Sequence, residues 1–453
     1  MPRSYQEVPL VEFPSSGAWG PESAPFIAQT ALERGPIFRR LVTGEQGSEF
    51  ELLYLVGAEA NRMVFHTQRE HFSHDLGWTP LIGETLGHGL LNMDPPDHTR
   101  HRVMMNPAFA GSYIATYLPV MERVIAERTR DWAQRADINL LDESREIAFD
   151  VAAASLVSAQ TGVMVDRLRE LFYVLLHGYD GAQEESWEIF VERRSRAQEE
   201  LAGILLQMIA ARRANADNDR PTDVLGMIVN ARDDHGRALS DEQVLAHVNI
   251  LLVAGHETTT MLGGWVLYLL TTHPDYLARV CDELDRTLGS RDAPLTVEAI
   301  RATPLLGNAV KEAGRLESPV AVLPRGVARP FEFGDYQVPV GTKVRLAIAA
   351  THRLPTIFAE PNCFDPDRFA PPRDEERRTP YALATFGGGT RICIGINFAQ
   401  IEVKALAANV LRRYRLEPLS DVYPQQYSGI TAVVPEGIHV RAVPPLKAPR
   451  GMV

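Results

Sequence analysis

A chain of 453 residues is long enough for three average domains, yet large single-core enzymes also reach this length. Its 45% hydrophobic and 23% charged content is that of a globular protein with a sizeable core and excludes wholesale disorder. The net charge of -12, from 46 Lys plus Arg against 58 Asp plus Glu, offers no field for a nucleic-acid backbone. Three cysteines, Cys281, Cys363 and Cys393, cannot make a disulfide framework and predict a reducing, cytoplasmic setting.

In chain order, the first thirty residues carry prolines and acids and lack both a basic and an apolar leader region, so neither secretion nor an N-terminal anchor is predicted. Residues 36–56 hold two aliphatic and aromatic runs around Gly44-Glu45-Gln46-Gly47, the pattern of a hairpin, in a β-rich part reaching to about residue 66. The Gly-rich segment 77–93 brings Leu81, Ile82, Leu86, Leu90 and Leu91 as a candidate apolar cap. From about 96 to 318 helical periodicity dominates, with amphipathic segments near 113–135, 142–160, 164–178, 185–215 and 240–273.

Val248–Leu270 is long enough to span a bilayer, but His256, Glu257 and three threonines sit at its centre, so a buried core helix is expected and no membrane anchor. Ser240 with Gln243 forms a capping box, and no proline follows until Pro274, which predicts one helix of roughly 50 Å. After Pro319, short β-like runs fill 320–350, followed by a Pro-rich loop from 355 to 380. Neither internal repeats nor flexible linkers interrupt this pattern. One domain over 1–453, mainly α with a smaller β-lobe, is the predicted organisation.

The strongest chemical signal is Phe386-Gly387-Gly388-Gly389-Thr390-Arg391-Ile392-Cys393-Ile394-Gly395, leading into a helical pattern. Free amides and the positive helix end stabilise a thiolate there, and the glycines let the backbone turn towards the sulfur. Taken alone, a cysteine beside glycines is more often a buried free thiol. The ten-residue spacing changes that balance, because it resembles the haem-ligand loop of the cytochrome P450 family, Phe-x-x-Gly-x-x-x-Cys-x-Gly with Arg or His two before the cysteine.

That resemblance implies a cytochrome P450 fold, haem b (iron protoporphyrin IX) as cofactor and Cys393 as the iron ligand. An anionic sulfur pushes electron density through the iron and favours O–O cleavage. It further implies haem contacts at Phe386, Gly387, Arg391, Gly395 and Ala399, and at Ala254 and Gly255 of the long helix. His98 and Arg102, one turn apart after Asp94-Pro95-Pro96-Asp97, match positions that hold haem propionates, as do Arg325 and Arg391. Glu312 and Arg315 share a helix face, and Arg368, within Phe364-Asp365-Pro366-Asp367-Arg368-Phe369, is the implied third member of a buried structural triad.

Glu257 and Thr258 correspond to the family's acid and alcohol pair, suited to delivering protons during dioxygen activation. A Thr258 hydroxyl bonded to the carbonyl of Ala254 would bend the helix beside Gly255, itself about 1 kcal/mol worse than alanine in a helix. His256 is expected on another face. The implied pocket wall of Ile250, Val253, Ala254, Ala321 and Val322 is aliphatic or small and favours an apolar substrate. Two positions depart from the family pattern: His352-Arg353-Leu354, where Asn-Arg-Asp is frequent, and Pro324 directly before Arg325.

The implied activity is a monooxygenase that hydroxylates or epoxidises a small apolar molecule with dioxygen and two electrons from a separate donor, such as a ferredoxin and its reductase. Two other readings stand beside it: a peroxygenase fed directly by peroxide, and a non-catalytic haem-binding sensor. Peroxide users commonly lack the acid and alcohol pair, and a sensor calls for an output domain that the sequence does not reveal.

Overall fold

The structure is a computed structural model that describes residues 2–14, 23–43, 48–159, 162–176, 186–214, 223–289, 293–420, 426–428 and 431–444. By its contacts the chain forms two compact units, one of Met1–Gly77, Met121–Ile147 and Glu257–Val453, the other of Trp78–Val120 and Ala148–His256. The first unit holds a five-stranded sheet. Its order is Ile37–Thr43, Glu49–Leu55, Lys343–Ala347, Val322–Val327 and Phe72–Ser73. Neighbours are antiparallel except Glu49–Leu55 with Lys343–Ala347, which run parallel.

The predicted hairpin is present, with Ile37 opposite Leu55; its Gly-Glu-Gln-Gly turn lies outside the described residues. Ile37, Leu53, Leu55, Val344 and Leu346 supply a buried apolar face against which Met63 and Phe65 pack. Pro324 lies inside Val322–Val327 without breaking the sheet. On one side it pairs with Arg345, and on the other the short strand Phe72–Ser73 reaches only Gly326 and Val327, so at Pro324 that side is an edge. Gly77 packs directly on this stretch, since a Cβ there would stand 2.6 Å from the Arg325 Cα.

The helical segments fall close to their predicted places, at Gly111–Thr129, Leu140–Val157, Val163–Leu176, Trp187–Ala214 and Asp241–Thr271. The cap segment divides differently: residues 75–86 are helix, Asp75–Leu86, and only the part from Gly87 on is loop. The capping box of the long helix forms in both directions, Gln243 N–H to Ser240 Oγ at 3.2 Å and Ser240 N–H to Gln243 Oε1 at 3.0 Å. At 31 residues this helix is about 46 Å long. Among the described residues no helix is long and apolar enough to cross a membrane.

Within the first unit, the far half of this helix meets the helix that follows the cysteine loop, Ile396–Arg413, through small residues. A Cβ on Gly263 would stand 2.9 Å from Leu406, while one on Gly264 would stand only 2.5 Å from Leu141 of the helix Leu140–Val157. The glycine at 263 lets the long helix come close to Ile396–Arg413 at that point.

Candidate active site

The cysteine loop is built by left-handed glycines. Gly387 and Gly389 take φ of 70° and 61°, a region that side chains rarely adopt. The resulting turn donates Gly387 N–H to Ala384 O at 2.8 Å and Cys393 N–H to Phe386 O at 2.9 Å. Phe65 forms the floor: a Cβ on Gly389 would fall 2.1 Å from its carbonyl oxygen, and one on Gly388 would fall 2.7 Å from its ring. Cys393 precedes the helix N-cap, Gly395, and is exposed.

Burial along this segment is uneven in an informative way. From Ile401 onward the helix is almost wholly buried, whereas Phe386, Gly387, Arg391, Gly395, Phe398 and Ala399 are only half-buried. The long helix shows the same contrast. Ala254 is exposed and Leu251, Gly255 and Thr258 half-buried, at a spacing that defines one helix face, while Met261–Leu270 is buried. A Cβ on Gly255 would meet nothing within 4 Å.

Of the predicted pocket wall, Val253 is half-buried, whereas Ile250, Ala321 and Val322 are enclosed at 5%, 2% and 1% exposure. His256 is buried away from the open face, stacked on Tyr173 at 5.7 Å and edge-on to Phe149 at 5.4 Å. Glu257 is a quarter exposed, with Arg145 Nε 3.9 Å from its carboxylate.

The four basic positions lie in two groups. In the second unit His98 is buried, and Arg102 donates through Nε to Asn106 Oδ1 at 2.9 Å. In the first unit Arg325 is 3% exposed, donating through Nη1 to Pro324 O at 2.7 Å, and Arg391 is half-buried. A buried guanidinium suits a carboxylate partner that is itself out of water. Within the first unit, an exposed thiol on a glycine turn, half-buried neighbours and the guanidinium groups of Arg325 and Arg391 are a donor set that fits an iron porphyrin and its propionates.

The scaffold under the loop is a fully buried ion network. Glu312 accepts from Arg315 Nε at 2.7 Å and Nη2 at 2.8 Å, from Arg368 Nε at 3.0 Å and from Asp365 N–H at 2.9 Å. Arg315 spends its remaining donors on the carbonyls of His352, Pro361 and Cys363. Arg368 also meets Glu375 Oε2 at 2.8 Å, so two cations face two anions. Glu375 lies outside the family signatures and was invisible as a member from spacing alone.

His352 is the other residue that sequence reasoning did not assign a task. Its ring Nε2 accepts Ala384 N–H at 3.0 Å, which anchors the residue whose carbonyl starts the cysteine turn. Burial first, and then the charge of Arg315, push this imidazole down to about 3, so it is neutral as an acceptor must be. Glu402, on the helix after the cysteine, is also buried, and desolvation raises its carboxyl well above the ordinary range.

A helical body with a small sheet, carrying an open cysteine before a buried helix, defines a haem-dependent oxygenase, and comparison with known proteins agrees. The family model described as "Cytochrome P450" matches residues 28–439. A Mycobacterium tuberculosis protein carrying the name cytochrome P450 136 is 32% identical, over 80% of this chain and 73% of its own. Sterol 14alpha-demethylase of Mycolicibacterium vanbaalenii is 28% identical over 82% of this chain and 83% of its own. The solved structure of retinoic acid bound cyanobacterial CYP120A1 superposes with a TM-score of 0.81 at 25% identity, covering 96% of this chain and 99% of that one. This chain belongs to the cytochrome P450 family. It is a monooxygenase whose cofactor is haem, iron protoporphyrin IX.

Two outcomes are expected of the scaffold. Arg368→Met leaves Glu312 and Glu375 short of a buried partner and should lower stability by about 3–5 kcal/mol, read as a fall in the thermal midpoint and loss of bound haem. His352→Gln keeps an acceptor but cannot titrate. In the wild type the unfolded imidazole takes a proton below about pH 6.5 while the folded one resists until about 3. Stability from this group is therefore full above 6.5 and lost as pH falls towards 3. The midpoint of His352→Gln should decline less steeply than wild type over that window; parallel curves would count against a neutral, proton-resisting His352.

Proposed function

We propose that this P450 is a cytoplasmic enzyme working as one domain over its whole length. It takes dioxygen, and two electrons from a separate carrier such as a ferredoxin and its reductase, to hydroxylate or epoxidise a small apolar molecule. The observation that carries the reading is the open Cys393 sulfur on a turn made rigid by Gly387, Gly389 and the bond from its own amide to Phe386. Bound through that sulfur, the haem supplies the activation of dioxygen. His98, Arg102, Arg325 and Arg391 are the residues to hold its propionates, and Ala254, Gly255, Gly395 and Ala399 are small enough for its faces to lie close.

The acid and alcohol pair has the roles of holding and passing protons. Glu257 keeps a quarter of its surface in solvent, with Arg145 Nε 3.9 Å from its carboxylate, so it can exchange protons with water and pass them inward. Thr258 offers a hydroxyl on the same helix face as Ala254 and Gly255, one turn on, and would hold or pass a proton at its Oγ1. Ile250, Val253, Ala254, Ala321 and Val322 present only aliphatic surface, which holds an apolar substrate and excludes the water that would waste reducing equivalents. A relative acting on sterols and a structural neighbour with retinoic acid bound support an apolar substrate class.

The carbon monoxide adduct of the reduced protein should absorb at the thiolate-specific Soret position, and Cys393→Ser should lose that band. An unchanged spectrum in the variant would remove the ligand assignment. In Thr258→Ala, electron consumption should continue while product per electron falls and hydrogen peroxide accumulates; full coupling in that variant would sink the proton-holding role.

A further inference from the structure

Two histidines of the second unit belong to no signature used so far. His247 lies on the long helix, two turns before Ala254, and His101 lies on the helix Asp97–Met105; both are fully buried. Their rings meet at 2.9 Å between His247 Nε2 and His101 Nδ1. On its other side His247 Nδ1 accepts the backbone N–H of Leu90 at 3.1 Å. An imidazole that accepts at Nδ1 and is neutral carries its proton on Nε2, so His247 donates to His101 and the direction of the chain is fixed. Burial, and then the neighbouring rings of His101, His88 and His98, push His247 down to about 3.

The surroundings keep the pair in that state. With Nδ1 accepting from His247, neutral His101 carries its one proton on Nε2; the Arg100 guanidinium, 3.2 Å from that nitrogen and held by Asp233, Nε to Oδ2 at 2.7 Å, is a fixed positive charge that opposes a second proton on the ring. The loop that the pair holds is tightly made. Asn92, fully buried, accepts Gly89 N–H at 2.8 Å and donates to Gly87 O and to Thr79 Oγ1, both at 3.1 Å. The loop presses on the long helix: a Cβ on Gly89 would stand 2.8 Å from Ile250 Cδ1, and one on Gly87 would stand 3.1 Å from Ala246 Cβ.

We propose that the His247–His101 pair is the positioning element for the substrate-facing loop. Through the Leu90 amide it sets where residues 87–92 stand against Ile250, and thereby the shape of the apolar wall to which both contribute. That loop faces substrate only on the pocket reading given above, but its attachment to His247 stands independently of it. The side chains next along the helix, Ile250 and Val253, inherit the register because the loop is fastened to their own helix, one turn earlier.

The test is amide hydrogen exchange at Leu90 in the full-length, haem-loaded protein, paired with binding of a homologous series of 1-alkylimidazoles followed spectrally. His247→Leu should speed Leu90 exchange by about tenfold, the loss of one buried hydrogen bond, and flatten the dependence of affinity on alkyl length. His247→Asn places an acceptor where Nδ1 was and should restore slow exchange. His101→Leu should speed exchange and His101→Asn should not, which decides the matter if His247→Leu does not fold. An unprotected Leu90 amide in the wild type overturns the proposal, as does faster exchange with an unaltered alkyl-length ranking. Failure of the haem-thiolate reading would show separately, in the carbon monoxide spectrum of the wild type.

Discussion

The carboxylate of Glu312 has no exposed surface, and the rest of the first unit is arranged around satisfying it. A charge removed from water is tolerable only when its lone pairs are matched, and here four donors converge from the same helix, from Arg368 and from the Asp365 backbone. Those donors bring the otherwise irregular stretch 352–375 to one point, since Arg315 and Arg368 between them hold the carbonyls of His352, Ala359, Glu360, Pro361 and Cys363. A long loop whose only regular piece before Glu375 is the short 3-10 turn Pro366–Phe369 is thus tied down at several points along its length. His352 then extends the same order to Ala384, and Ala384 to Gly387, so the cysteine turn hangs from the network by successive hydrogen bonds.

Rigidity at the cysteine would serve chemistry, because a sulfur that is to hold a metal has to be kept in one place. Two left-handed glycines make a turn that no other residue would adopt cheaply, and the Phe65 backbone blocks any Cβ at Gly389. The helix Ile396–Arg413 follows at once, with its positive end at the cysteine turn. The turn and its Phe65 floor shape the backbone that carries the sulfur, and the helix dipole lies directly after it.

Much of this was legible in the sequence because the signals are local. The glycine spacing before Cys393, the capping box at Ser240 and the i, i+3 relation of Glu312 to Arg315 each depend on residues within ten positions of one another. What stayed hidden depends on contacts between distant segments. His352 looked like a departure from the family pattern, yet its ring works through an amide 32 residues away. Phe65 lies more than three hundred positions before the glycines it supports, and Glu375 joins the ion network only because the loop folds back on Arg368. The helical half of the cap segment was missed because Gly77, Pro80 and Gly83 speak against a helix that tertiary packing nevertheless selects.

The long helix carries two kinds of constraint that explain why its middle is chemically distinct. Near its start, Ala246, His247 and Ile250 are covered by the loop 87–92, and beyond Thr260 it is closed by packing through Gly263 and Gly264. Between these two fastenings lies the face of Leu251, Ala254, Gly255 and Thr258, where apolar burial is incomplete and a glycine weakens the helix without gaining any closer contact. A helix serving only as core would bury that face and carry alanine there. Held firmly at both ends, it can keep a locally weak, polar turn at its centre without unwinding, and that turn is where an acid, an alcohol and a small-residue surface sit within two helical turns of each other.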